Sequence, residues 1–231
     1  MMHFRRYAIY AAPRPGALAE VAADWLGWDP ATGAERCPPD LPGLPRPLRD
    51  LTRTPRRYGF HATLKAPFRL APDLCADDLA EATSALACHL APVEGLELSL
   101  DLMGGRFLAL RPRGAGAADL IALGAEVVAG LDMFRAPATG DEIARRNPAA
   151  LSPRQRDYLD RFGYPWVMEE FRPHLTLTGD LDPAEVEAVR HVAAAHFAPH
   201  LAQPFAVADL CLCAEDDAGR FHLLDRYPLR G

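Results

Sequence analysis

Two segments set histidine and threonine two residues apart within an apolar alternation: His61-Ala62-Thr63-Leu64-Lys65 and His174-Leu175-Thr176-Leu177-Thr178. In an extended strand, residues i, i+2 and i+4 share a face. The spacing therefore predicts a strand with His61, Thr63 and Lys65 on one face and Ala62 and Leu64 on the other. A second strand repeats the design, with His174, Thr176 and Thr178 facing away from Leu175 and Leu177. Imidazole titrates near pH 6.5, so histidine can both take and give a proton in neutral water. Two imidazoles and at least two hydroxyls around one small anion meet the needs of phosphoester hydrolysis. One ring takes a proton from the attacking water, the other protonates the leaving oxygen, and fixed donors hold the phosphoryl charge. Lys65 would add a cation to that face. A single such histidine or threonine is ordinarily structural; two matched pairs are what make these residues candidates.

The elements that must carry the pairs recur in order. Strand 59–65 is followed by helix 76–91 and by the strands "EGLELSLDLMG" and "RFLALRP", which turn at Gly104-Gly105. Strand 172–178 is followed by helix 183–198, with Asp182 as N-cap and Pro183 at its first position, and by "FAVADLCLCAED" and "RFHLLDRYPL". His61 precedes Arg106-Phe107 by 45 residues and His174 precedes Arg220-Phe221 by 46. Matched order and spacing predict an internal duplication. The expected molecule is α+β, a single bilobal domain over 1–231. Its units, about 59–112 and 172–229, are β-α-β-β lobes with pseudo-twofold symmetry around a central cleft. Strand 4–12 and an amphipathic helix carrying Leu18, Val21, Ala22 and Trp25 come first, then a loop over 29–57 with seven prolines. A helix over 117–131 and a polar insert over 137–171 separate the units. Within the insert Ser152 should cap a short helix ended by Gly163 and Pro165.

Other residues offer themselves to the cleft. "GDEIARRNP", residues 140–148, sets Arg145 and Arg146 near Glu142. It reads either as a solvated helical face with an i,i+3 or i,i+4 ion pair or as a cationic lid for a second anionic group. Tyr164, Trp166 and Arg172 precede the second pair and could shape the cleft, and Tyr7 and Tyr58 could border it. His191 to His196 is a five-residue step, Pro199 interrupts before His200, and Cys211 and Cys213 have no matching pair, so no metal site is expected. His3, His89 and His222 lack a partner motif.

At the paired segments the sequence resembles the 2H phosphoesterase superfamily, which carries two His-x-Thr-x motifs in a duplicated fold. Over "RYAIYAAP", "RRYGFHATLKAPF" and "YPWVMEEFRPHLTLTG" it looks like the branch associated with bacterial phosphonate metabolism. The resemblance implies a metal-independent cyclic phosphodiesterase without cofactor, with His61 and His174 catalytic and Thr63 and Thr176 binding phosphate. A phosphoribosyl cyclic phosphate is the candidate substrate. Rival readings are a non-catalytic nucleotide or sugar-phosphate module of the same fold, a 2′,5′-linked or RNA-end phosphoesterase, and a protein-interaction scaffold.

Bulk properties narrow the partners. With 231 residues, 49% of them hydrophobic, a sizeable core is available. The net charge of −6 argues against general nucleic-acid binding but allows a small anionic substrate in a locally positive cleft. No apolar run is long enough for a membrane span, and the start is too short in apolar residues for a signal peptide. Five scattered cysteines fit a reduced, cytoplasmic protein.

Overall fold

A computed structural model describes residues 3–231 and shows an α+β architecture. The elements in chain order are β1 (Arg6–Ala11), α1 (Ala17–Leu26), β2 (Trp28–Asp29), β3 (Ala34–Glu35), α2 (Leu48–Leu51), β4 (Ala62–Phe68), α3 (Ala76–Ala87), β5 (Val93–Met103), β6 (Phe107–Arg113), α4 (Ala117–Gly130), α5 (Gly140–Ala144), α6 (Pro153–Phe162), β7 (Leu175–Thr176), α7 (Val186–Phe197), β8 (Phe205–Val207), β9 (Asp209–Glu215) and β10 (Phe221–Pro228). Eight strands form one antiparallel sheet in the order β10-β9-β1-β4-β7-β6-β5-β8; β2 and β3 pair separately.

The sheet divides polar from apolar by alternation. Ile9 and Ala11 on β1, Ala62 and Leu64 on β4, Leu108 and Leu110 on β6, and Leu175 share one large core with Trp25 of α1, Leu79 of α3, Leu120 and Val127 of α4, and Val189 of α7. The helices thus cover one face. On the other face a smaller apolar cluster, Ala8, Tyr10, Cys211, Cys213 and Phe221, lies beside the first His-x-Thr segment, with Tyr10 against His61. The strand-period pattern of these segments has one core face and one open face, as alternation requires.

The equivalence expected between the Arg106-Phe107 and Arg220-Phe221 strands does not hold in the sheet. β6 lies directly against β7, whereas β10 is an edge strand separated from β4 by β9 and β1. In sheet order the counterpart of β6 across the β4–β7 centre is β1, a strand that lies outside both expected units.

Local signals explain several boundaries. Ser152 accepts a hydrogen bond from the Gln155 N–H, Pro153 opens α6 and Gly163 ends it in the left-handed region. Asp182 does not cap α7: Pro183 to Glu185 form a turn and the helix starts at Val186, with the Glu185 carboxylate accepting from the Asp182 N–H at 3.2 Å. The proline-rich stretch 29–57 holds the β2–β3 hairpin and the short α2 rather than one loop.

Candidate active site

The chemistry-bearing face is assembled where β4 meets β7. Their ladder pairs Ala62 with Leu175 in antiparallel register. One residue either way, this register sets His61 opposite Thr176 and Thr63 opposite His174. Directly opposed side chains on one face stand about 4.5–5.5 Å apart at Cβ. Each imidazole therefore has one threonine two residues along its own strand and another across from it. Trp25 anchors this seam from behind, its indole N–H donating to the Leu177 carbonyl at 2.9 Å.

The two rings are held by the same device. His61 Nδ1 lies 3.0 Å from the Gly59 carbonyl, and His174 Nδ1 lies 2.6 Å from the Arg172 carbonyl, each two residues upstream. A carbonyl only accepts, so Nδ1 carries the proton in both and Nε2 is the basic nitrogen. Gly59 makes this possible for His61: it sits at φ +75°, and a Cβ there would fall 2.0 Å from Pro30 Cγ.

Beyond that device the rings differ. His61 Nε2 accepts from the Thr63 hydroxyl at 3.0 Å, and its ring stacks on Tyr10 with centroids 3.5 Å apart. Burial drives its pKa down to about 3, against the Gly59 bond, and the nearby His174 pushes the same way. His174 rests against Phe107, ring centroids 5.6 Å apart. Its pKa is also lowered, first by burial and then by the charge of Arg111, with the Arg172 bond opposing. Arg111 sits across from His174 in the β6–β7 register, and its buried Nε has no partner among the described residues.

A cleft of about 570 Å³ opens on this face. Of the candidates it brings together His61, Thr63, Thr176, Thr178, Tyr58, Arg146 and Tyr164, with Phe107 beside them. His174 adjoins the cleft through Phe107 and is not part of the lining. Thr178 is fully buried, and its hydroxyl accepts from the Leu108 N–H at 3.0 Å. Arg146 lays its guanidinium over the Tyr164 ring at 4.7 Å. Trp166 is exposed and stands edge-on to Tyr164, ring centroids 5.3 Å apart.

Four candidates lie elsewhere. Lys65 is on the opposite face because β4 bulges: Tyr10 pairs with Thr63, but the adjacent Ile9 pairs with Lys65. The extra residue reverses the alternation, so Lys65 points to the helices and bonds Asp132 at 3.1 Å and the Val128 carbonyl at 3.3 Å. Tyr7 belongs to the main core, on the side of Ile9. Arg145 is exposed and bonds the Asp141 carbonyl at 3.2 Å within its own helix. Arg172 is exposed and bonds the Glu169 carbonyl at 2.7 Å; it serves His174 through its own carbonyl only.

The structure adds Tyr10, Arg6, Arg53 and Thr54 to the lining. Tyr10 was legible: it lies four residues from Arg6, and that polar partner marks the open face of β1. Its hydroxyl is buried without a partner among the described residues, and burial raises its pKa well above the usual value. Arg53 and Thr54 come from the turn after α2, and no periodicity marks them. Among the described residues no group of three or more His, Cys, Asp or Glu is placed to hold a metal ion, and no helix is long and apolar enough to cross a membrane.

Comparison with known proteins gives relatives of two kinds. The chain is 36% identical over 234 residues to "Ribose 1,5-bisphosphate phosphokinase PhnN" of Janthinobacterium sp. (strain Marseille), covering 98% of this chain and 51% of that protein. The protein of that name from Laribacter hongkongensis (strain HLHK9) is 36% identical over 219 residues, 93% of this chain and 49% of its own length. The chain thus spans about half the length of the curated relatives it matches. Among solved structures, TT0787 of Thermus thermophilus is 16% identical, with TM-score 0.49 and 98% of each chain covered. LigT of E. coli, in complex with 3′-AMP, is 18% identical, with TM-score 0.45 and 99% of each chain covered. A family model matches residues 63–222, more than half of the chain, and on that match the chain belongs to the family described as "Protein of unknown function (DUF1045)".

Proposed function

We propose that the chain hydrolyses a small cyclic phosphodiester by metal-independent acid–base catalysis from two histidines. The observation that carries the reading is the β4–β7 register, which sets each imidazole opposite the other segment's threonine on one open face. His61 is held neutral by its enclosure and takes the base part; His174, less enclosed, takes the acid part. His174 enters the step as imidazolium, protonated at both nitrogens; as the P–O bond to the leaving oxygen breaks, its Nε2 delivers a proton, and the water attacking phosphorus loses one to His61 Nε2. The Thr176 hydroxyl steadies the phosphoryl oxygens, with a smaller part for Thr63, whose hydroxyl must first leave His61 Nε2. The two halves of the sheet that meet at β4 and β7 act as lobes of one bilobal unit around the cleft.

A phosphoribosyl cyclic phosphate is the proposed substrate. It finds support in the name of the half-matching relatives, which concerns a ribose bisphosphate. A panel of cyclic phosphodiesters assayed with wild type beside His174→Ala tests the reading. Turnover of at least one member by wild type, lost in the variant and insensitive to chelator, is expected. Turnover that the variant retains, or that a chelator abolishes and one metal ion restores, refutes it.

A further inference from the structure

The cleft carries more positive charge than the two-histidine chemistry uses. Arg6, Arg53 and Arg146 all line it. Arg6 is occupied by Glu215 through two hydrogen bonds, at 2.6 and 2.7 Å. Of the two lining carboxylates, Asp180 is occupied by Arg106, which leaves Asp50. Arg53 and Arg146 differ from Arg6: among the described residues neither guanidinium makes an ion pair or a hydrogen bond. In a chain of net charge −6, two unspent guanidinium groups lining one cleft are a local excess of the sign opposite to the whole.

Their mounting differs as well. Arg146 is half-buried and stacked on Tyr164, so its fork is held in place before any ligand arrives. Burial raises the Tyr164 pKa, which keeps that phenol a neutral donor beside it. Arg53 is exposed, but its turn is tied to the second motif segment: the Gly179 N–H donates to the Leu51 carbonyl at 2.7 Å, two residues before Arg53. A planar guanidinium fork matches phosphate oxygens bidentately, which the point charge of a lysine does not.

From these groups we infer that the cleft reads a second phosphoryl group on its substrate, a phosphomonoester remote from the scissile diester, through Arg146 first and Arg53 second. The inference rests on the phosphodiesterase reading above and names the class of molecule that fits it: a compact cyclic phosphodiester already bearing a terminal phosphate. The reaction class that supplies it must therefore leave a phosphomonoester in place while closing the cyclic ester.

Two matched pairs of ligands test this. Turnover is compared on ribose 1,2-cyclic phosphate with and without a 5-phosphate. Binding of ribose 1,5-bisphosphate is compared with that of ribose 1-phosphate in the His174→Ala background, by calorimetry. Wild type should favour the 5-phosphorylated cyclic ester by about 10–10²-fold in kcat/KM, the range a charge-assisted contact supplies. The binding pair should show the same preference. Arg146→Gln should remove most of that ratio, Arg146→Lys should keep part of it, and Arg53→Gln with Arg146→Gln together should bring it to about one. Melting curves report whether the variants keep the fold. Turnover of both esters at equal efficiency by wild type overturns the second-phosphate site and the choice of a phosphoribosyl ester, a full preference surviving in the double variant overturns the assignment to Arg146 and Arg53, and either leaves two-histidine hydrolysis of a cyclic phosphodiester standing. Failure of wild type to turn over any cyclic phosphodiester overturns the parent reading, and this inference with it.

Discussion

β4 and β7 carry the same His-x-Thr spacing in unequal surroundings. β4 is seven residues long, paired on both sides, and its histidine is stacked, enclosed and bonded at both ring nitrogens. β7 is two residues long, and its histidine has one bonded nitrogen and an arginine across from it. The shared part, a carbonyl two residues upstream, fixes the tautomer, so it recurs. The unshared part fixes the proton affinity. Two copies of one motif thus differ where the proposed acid and base must differ.

The largest expected effect tests whether both copies act on one transition state. His61→Ala and His174→Ala should each lower kcat by roughly 10²–10⁴-fold. The double variant should lose less than the product of the two. A variant of either histidine with wild-type rates on a confirmed substrate removes that copy from the mechanism.

The threonines sharpen the contrast. Thr63 spends its hydroxyl on His61 Nε2, whereas Thr176 has no side-chain partner among the described residues and is free to donate to a phosphoryl oxygen. Thr176→Val should cost roughly 10–10²-fold in kcat, and Thr63→Val less. Equal losses would mean that the hydrogen bond to His61 does not persist with substrate bound.

Acidity separates the copies without any substrate. The His61 imidazole titrates near 6.5 in the unfolded chain and at about 3 in the fold. Between those values the unfolded chain binds the proton more readily. The stability contributed by the neutral ring is therefore complete above pH 6.5 and is lost as pH falls toward 3. Melting temperatures over this range should fall more steeply for wild type than for His61→Ala. Parallel curves would show that the enclosure of His61 is not maintained in solution.

The bulge after Thr63 predicts a smaller effect, in stability rather than chemistry. Lys65→Met removes a buried ammonium, while Asp132 keeps Arg135 at 2.8 Å. The loss should stay at about 1–2 kcal/mol, below the usual cost of breaking a buried pair, because Asp132 is not stranded. Denaturant melts check this, and a collapse of kcat/KM at unchanged stability would return Lys65 to the cleft. Smallest of all, Tyr10→Phe keeps the stack on His61 and deletes a buried hydroxyl that has no partner among the described residues. It should be neutral or stabilising by up to about 1 kcal/mol.

How far the site was legible follows from what alternation can carry. His61, Thr63 and Thr176 could be placed on one face because period two holds from Ala62 to Leu64 and from Leu175 to Leu177. Lys65 could not, because a bulge leaves no mark in residue types and turns the residue that follows it to the other face. Tyr7 and Tyr10 differ by an odd number of positions, so choosing the wrong tyrosine meant choosing the wrong face of β1. Arg106-Phe107 and Arg220-Phe221 matched in spacing but not in sheet position, since pairing between strands is a tertiary matter that linear order does not encode. The Ser152 cap was readable because its partners lie within one helical turn. Arg53 was not, because its nearness to Gly179 depends on a contact across the fold.

β4 and β7 touch through one ladder pair, whereas β5–β6 and β9–β10 on either side are long ladders. In mechanical terms the sheet is stiff on its flanks and compliant along its midline. That midline is also the floor of the cleft, so any spreading of the two flanks changes the gap between His61 and His174 before it changes anything else. A ligand that bridges the two segments would act as a cross-tie, supplying the stiffness that the single ladder pair lacks.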